Sequence, residues 1–268
     1  MSQYKIEAGT AQHIGDRAEQ QDRVSLFTAP KAPGYLMAVV ADGMGGLSGG
    51  AMAAEQVLRT AKQAFDLFSP QTEDAVTLIR TIARDAHTLI KLNAISSEKK
   101  PHSTMVVLLL TPERTAIWAH AGDSRLYRFD GPNCAERTID HSHVANLIQQ
   151  GKITPQQARE HKMAHLLFSA LGSAESEPEI TIGKCANLKA GDAFLLCTDG
   201  LWQYFSRAEL GAAIAVNSPR QACEMLIAKA RERAAGHEAD NCTMAVVKLA
   251  EPTRETKSYT VDRMRRAV

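Results

Sequence analysis

Val39-Val40-Ala41-Asp42-Gly43-Met44-Gly45-Gly46 is the stretch on which the reading of this chain turns. The apolar run Leu36 to Ala41 reads as a buried strand, and it ends on a carboxylate and a glycine. A carboxylate is rarely buried unless it is paired or bound to a metal, so an Asp at the tip of such a strand needs a cation. Asp-Gly is also a hairpin signal, and one such pair alone favours a turn. Here a glycine-rich link and a helical pattern follow, where a hairpin would supply a second strand.

The pattern recurs along the chain. Phe194 to Thr198 runs into Asp199-Gly200, Ala116 to Ala121 runs into Gly122-Asp123-Ser124, and Asp240 precedes the apolar run Cys242 to Val247. Four strand-tip carboxylates that converge would form an all-oxygen site for hard divalent cations. The glycines after Asp42 do not make a nucleotide loop. The Lys-Ser/Thr ending is missing, and Ser48 stands where G-x-G-x-x-G needs its last glycine.

The chain has 268 residues, 44% hydrophobic and 23% charged, with a net charge of +1. That is ordinary for a globular protein and gives no electrostatic case for nucleic acid or an anionic membrane surface. The longest apolar run, Tyr35 to Ala41, is far short of a membrane span. The N-terminal MSQYKIEAGTAQHIG has no apolar core of a signal peptide, so the cytoplasm is the default expectation. Five scattered cysteines without a C-x-x-C pair argue against a disulfide framework or a zinc site. The nine histidines read as mostly surface residues.

Strands are expected at 4–13, 23–28 and 34–41, then helices on the apolar stripes Ala54 to Phe68 and Ala75 to Ile90. Four strands, 104–111, 114–121, 124–129 and 134–139, with short links read as one antiparallel meander. Residues 141–172 read as an excursion with two short helices, a lid near a site at the strand ends. Strands 180–185 and 193–198, helices 207–216 and 219–234, and strand 242–249 complete an α+β domain over residues 1–250. Residues 251–268 read as a polar C-terminal tail.

Arg17 with Gln21-Asp22, Val40 to Gly46, Ala121-Gly122-Asp123-Ser124-Arg125, Thr198-Asp199-Gly200-Leu201 and Asp240-Asn241 stand in the order of one known family. Over residues 8–249 the chain resembles the bacterial branch of the metal-dependent protein phosphatases (the PPM family, protein phosphatase 2C). The resemblance implies a four-layer αββα sandwich, two antiparallel sheets flanked by helix pairs. It also implies hydrolysis of phosphoserine and phosphothreonine at a binuclear centre of Mn2+ or Mg2+. By that resemblance Asp42 bridges both metals, Asp199 and Asp240 complete one site, and the Gly43 carbonyl serves the other. Asp22 acts mainly through metal-bound water, Asp123 with Asp199 matches a third, weaker metal position, and Arg17 grips the phosphate. Phosphoprotein substrates, a cognate serine/threonine kinase and a monomeric catalytic domain are implied as partners and state.

The sequence departs from the family in several places. Gln21 stands where many relatives carry Glu, and Met44 where eukaryotic relatives carry a His proposed as general acid. His102-Ser103-Thr104 replaces Gly-Thr-Thr. The flap, 141–172, keeps Ala170-Leu171-Gly172 but has Ala164, His165 and Ser169 where arginines and an asparagine are usual. Two other readings stay open at this point, a catalytically silent binding module and a hydrolase of small phosphate esters.

Overall fold

The computed structural model describes residues 5–45, 49–95, 100–235 and 238–251; Gly46 and residues 252–268 of the expected tail lie outside them. In chain order the elements are β1 (Lys5–His13), β2 (Arg23–Ala29), β3 (Ala32–Ala41), β4 (Gly43–Met44), α1 (Gly49–Leu67) and α2 (Ala75–Ile95). Next come β5 (His102–Ser103), β6 (Met105–Thr111), β7 (Thr115–Ala121), β8 (Arg125–Asp130) and β9 (Asn133–Arg137). The flap contributes α3 (His143–Gln149) and α4 (Pro155–Arg159). The chain then runs through β10 (Thr181–Cys185), β11 (Asp192–Cys197), α5 (Asp199–Trp202), α6 (Arg207–Val216), α7 (Pro219–Arg233) and β12 (Cys242–Ala250).

Two five-stranded antiparallel sheets carry the fold, in the orders β1-β12-β11-β8-β9 and β10-β7-β6-β3-β2. Both inner and outer faces of their central strands are buried, which is why those strands read as unbroken apolar runs. Along β3, Met37, Val39 and Ala41 meet the α1–α2 layer, while Ala38 and Val40 meet the opposite sheet. Along β11, Leu195 and Cys197 meet the α6–α7 layer, while Phe194 and Leu196 fill the space between the sheets. Three cores therefore separate four layers, the αββα sandwich that the family resemblance implied. Ser206 with Glu209 and Ser218 with Gln221 form capping boxes that start α6 and α7. Among the described residues no helix is long and apolar enough to cross a membrane.

The expected single meander is corrected. β6 pairs with β7 and β8 pairs with β9, but β7 and β8 lie in different sheets. The chain changes sheet at Gly122-Asp123-Ser124. Gly122 has φ +99, and a Cβ there would stand 2.7 Å from Thr104 Cγ2, so only glycine makes this crossing. Strands buried on both faces hide such a switch, because their apolar pattern is the same in either sheet. A small ribbon of β4 and β5 also follows Asp42, where no strand was expected. His87, His120 and His141 are buried, exceptions to the surface reading of the histidines.

Candidate active site

The strand register brings the predicted residues to one end of the sandwich. Arg23 of β2 pairs with Ala41 of β3, so Asp22 and Asp42 leave adjacent strands at the same edge. Cys197 of β11 pairs with Met244 of β12 on one side and Arg125 of β8 on the other. Asp199, Asp240 and Asp123 therefore lie just beyond that same end of the second sheet. Asp199 sits in the first turn of α5 rather than on a bare strand tip.

Hydrogen bonds fix the backbone around each carboxylate. Thr104 Oγ1 accepts from the Asp42 N–H at 2.9 Å, and the Thr104 N–H donates to the Asp42 carbonyl at 2.9 Å. Thr104 Oγ1 also bonds Ser124 Oγ at 2.7 Å, which links the Asp42 and Asp123 segments. Asn241 accepts from the Gln21 N–H at 2.7 Å and donates to the Ile14 and Glu19 carbonyls, so it anchors the loop carrying Arg17. The Trp202 indole donates to the Asp123 carbonyl at 3.0 Å. Arg125 stacks on Trp202, 3.4 Å from the ring centre, and holds Asp140 with two bonds of 2.8 and 2.6 Å.

The five carboxylates act on one another. Burial, then repulsion from Asp199 and Asp240, pushes Asp22 up to about 7 against the Thr198 and Thr243 hydroxyls, which favour its ionised form. Burial and repulsion from Asp22, Asp199, Asp123 and Asp240 raise Asp42 well above the usual carboxylate range. Burial and the Asp199 and Asp140 charges push Asp123 up to about 8. Burial and Asp240 push Asp199 up to about 6, opposed by His165, the Gly200 N–H and Arg17. Such mutual repulsion is the field a multivalent cation relieves.

The donor chemistry fits a hard divalent ion, since every group is an oxygen. A Cβ at Gly50 would stand 2.5 Å from the Gly43 carbonyl oxygen and 2.8 Å from Gln21 Oε1. Two glycines thus open a cradle that brings a carbonyl and an amide oxygen close to the same backbone. Among the described residues, no three His, Cys, Asp or Glu side chains are drawn into a closed ligand group. Asp240 Oδ2 instead accepts from Arg17 at 2.8 Å, and Asp22 Oδ2 accepts from Thr198 Oγ1 at 2.9 Å.

The flap stands beside this end of the sandwich. Its start is tied down by the His141 N–H, which donates to the Gly122 carbonyl at 2.9 Å, and its end by the Ser103–Leu171 bridge. His141 stacks on His120 at 4.4 Å, with burial and His120 holding it down at about 4. Sequence reasoning quoted Thr104, Arg125 and Asn241 within its motifs without giving them a role, and it missed Trp202 and the Arg125–Asp140 pair.

This site and fold define a class, and the comparisons agree on it. The family model for protein phosphatase 2C matches residues 9–234, and the chain belongs to that family. It is 27% identical over 247 residues to the protein phosphatase PhpP of Streptococcus pneumoniae, covering 89% of this chain and 95% of that one. It is 28% identical over 223 residues to the serine/threonine protein phosphatase PstP of Mycobacterium tuberculosis, covering 81% of this chain but only 41% of PstP. The crystal structure of the PstP catalytic domain in complex with two manganese ions is similar at a TM-score of 0.74, with 25% identity, covering 92% of this chain and 99% of that one.

Proposed function

We propose that the chain is a metal-dependent protein serine/threonine phosphatase that hydrolyses phosphoserine and phosphothreonine at a binuclear centre. The observation that carries this reading is the convergence of Asp22, Asp42, Asp123, Asp199 and Asp240 at one sandwich end, with Arg17 at its rim. Asp42, the Gly43 carbonyl, Asp199 and Asp240 would hold the pair of ions, and Asp123 with Asp199 a third, weaker one. When bound, Mn2+ or Mg2+ supplies Lewis acidity that activates water and neutralises phosphate charge.

The remaining steps belong to the chain. Arg17 is exposed and spends one guanidinium nitrogen on Asp240, which leaves other N–H donors for two phosphate oxygens. Asp22 is buried and oriented by Thr198, so it acts as a fixed acceptor for a water proton rather than as a mobile ligand. None of the cysteines is placed as a nucleophile. Cys197, Cys223 and Cys242 are buried in the core, and burial raises each thiol well above its ordinary value. A monomeric domain over residues 1–250 in the cytoplasm, acting on phosphoproteins made by a cognate serine/threonine kinase, completes the proposal.

Phosphate release from a phosphothreonine peptide, with Mn2+ and with chelator, tests it. Metal-dependent release is expected. Metal binding without any turnover would instead make the chain a silent binding module.

A further inference from the structure

A pocket of about 650 Å³ opens beside the carboxylates, between the flap and the corner of α5 and α6. Asp123 and Asp199 line it, so it is continuous with the site. Ile139, Trp202 and Phe205 give it apolar wall. Three guanidiniums, from Arg125, Arg137 and Arg207, also line it.

These arginines differ in what they are bonded to. Arg125 is saturated by Asp140, Tyr127 and the Trp202 ring. Arg137 is half-buried and Arg207 exposed, and neither makes an ion pair or side-chain hydrogen bond among the described residues. Burial and the Arg125 charge, with Arg207 adding to it, make the Arg137 cation costly, and Asp140 only partly offsets this. An arginine on an outer face would be solvated at little cost, but a half-buried one in a concave wall gains from an anion. A planar guanidinium is shaped to take a carboxylate through two parallel bonds.

We propose that this pocket receives the substrate residues flanking the phosphorylated one, and that Arg137 and Arg207 select an acidic side chain there. The proposal rests on the phosphatase reading for the identity of the ligand as a phosphopeptide. The apolar wall covers the backbone and aliphatic part of the flanking residue, while the two cations read its charge. The charged head of a basic residue would instead meet like charge from Arg137 and Arg207, which makes the pocket discriminating as well as attractive.

The test is a binding measurement with a parallel turnover measurement. Fluorescein-labelled peptides carry a non-hydrolysable phosphonate analogue of phosphothreonine, flanked on both sides by Asp or, in a twin, by Asn. Fluorescence anisotropy with Mn2+ is expected to show the Asp peptide binding about tenfold tighter to the wild-type chain. In Arg137→Gln and in Arg207→Gln that ratio falls towards one, and in Arg220→Gln, on the distant α7, it persists. Arg207 is exposed, so its variant keeps the test decisive if Arg137→Gln fails to fold. Equal affinity of the wild type for both peptides, or a ratio that survives in both pocket variants, overturns the proposal. Turnover of the hydrolysable twins separates the two readings: preference without turnover supports the pocket and contradicts the phosphatase, and turnover without preference does the reverse.

Discussion

The hydroxyl of Thr198 donates to the carboxylate of Asp22 at 2.9 Å, joining the residue before Asp199 to one 176 positions earlier in the chain. The same oxygen accepts from the Thr243 N–H at 3.1 Å, and Thr198 is fully buried. One hydroxyl therefore ties β11, β12 and the start of β2 together beneath the site.

Thr198→Val keeps the shape and removes that hydroxyl. It leaves a buried acceptor and a buried N–H without their partner, which costs about 1–3 kcal/mol. Urea unfolding should show this loss, and Mn2+ affinity should fall by roughly 10–100-fold, as for groups that orient metal ligands. Thr198→Ser should restore most of both.

The Asp22 and Asp199 carboxyls, pushed up to about 7 and about 6, set a pH dependence. Over the window from about pH 4 to 7 the folded metal-free chain retains protons that the unfolded chain releases. The stability from these two groups is thus present at low pH and is lost as pH rises through the folded values. Divalent ions displace those protons, so the rise in Tm on adding Mn2+ should be larger at pH 8 than at pH 5.5. His141, held down at about 4, works in the opposite sense, because the folded chain resists protonation that the unfolded chain accepts below about 6.5. Asp22→Asn separates the two by raising metal-free Tm at pH 8, measured by calorimetry.

Gly50→Ala reverses an ordinary expectation. In a helix interior this change stabilises by roughly 1 kcal/mol. Here the new Cβ meets the Gly43 carbonyl oxygen at 2.5 Å, and the obstacle is backbone. Gly50→Ala should lower Tm and weaken Mn2+ binding, read by melting and titration calorimetry. A stabilised variant with full metal affinity would show that the cradle has no role.

Gln21→Glu adds a charge where Gln21 Oε1 would lie 2.8 Å from a Gly50 Cβ, next to the Gly43 carbonyl. Mn2+ should bind this variant more tightly, and in metal-free protein the extra carboxylate should lower Tm at pH 8 through repulsion. Titration calorimetry on both forms checks the sign of each effect.

Much of this was legible in the sequence because buried strands ending on carboxylates break a strong rule. The strand register carries Asp42 and Asp240 to one edge, and Asp199 follows β11 in the first turn of α5. The sheet switch at Gly122-Asp123-Ser124 was not legible, since Ala119, Ala121 and Leu126 are apolar and fully buried whichever sheet they join. Nor was the pairing of Arg17 with Asp240, 223 residues apart, because spacing says nothing about which loops meet. Arg125 and Trp202 lie 77 residues apart in sequence, and only the fold stacks them behind Asp123. Arg137, without an ion pair or side-chain hydrogen bond among the described residues, lies in β9, whose sequence gave no sign of a pocket.

The central claim is that the converged carboxylates make a metal-dependent phosphatase, and Asp199 is the residue shared by most of that argument. The most direct measurement is phosphate release from a phosphothreonine peptide by the wild type and by Asp199→Asn, each with Mn2+ and with chelator. The account predicts release by the wild type that needs Mn2+ and falls by about 100-fold or more in Asp199→Asn, with the variant still folded by circular dichroism. Release that persists in chelator, or that is the same in Asp199→Asn as in the wild type, would contradict it.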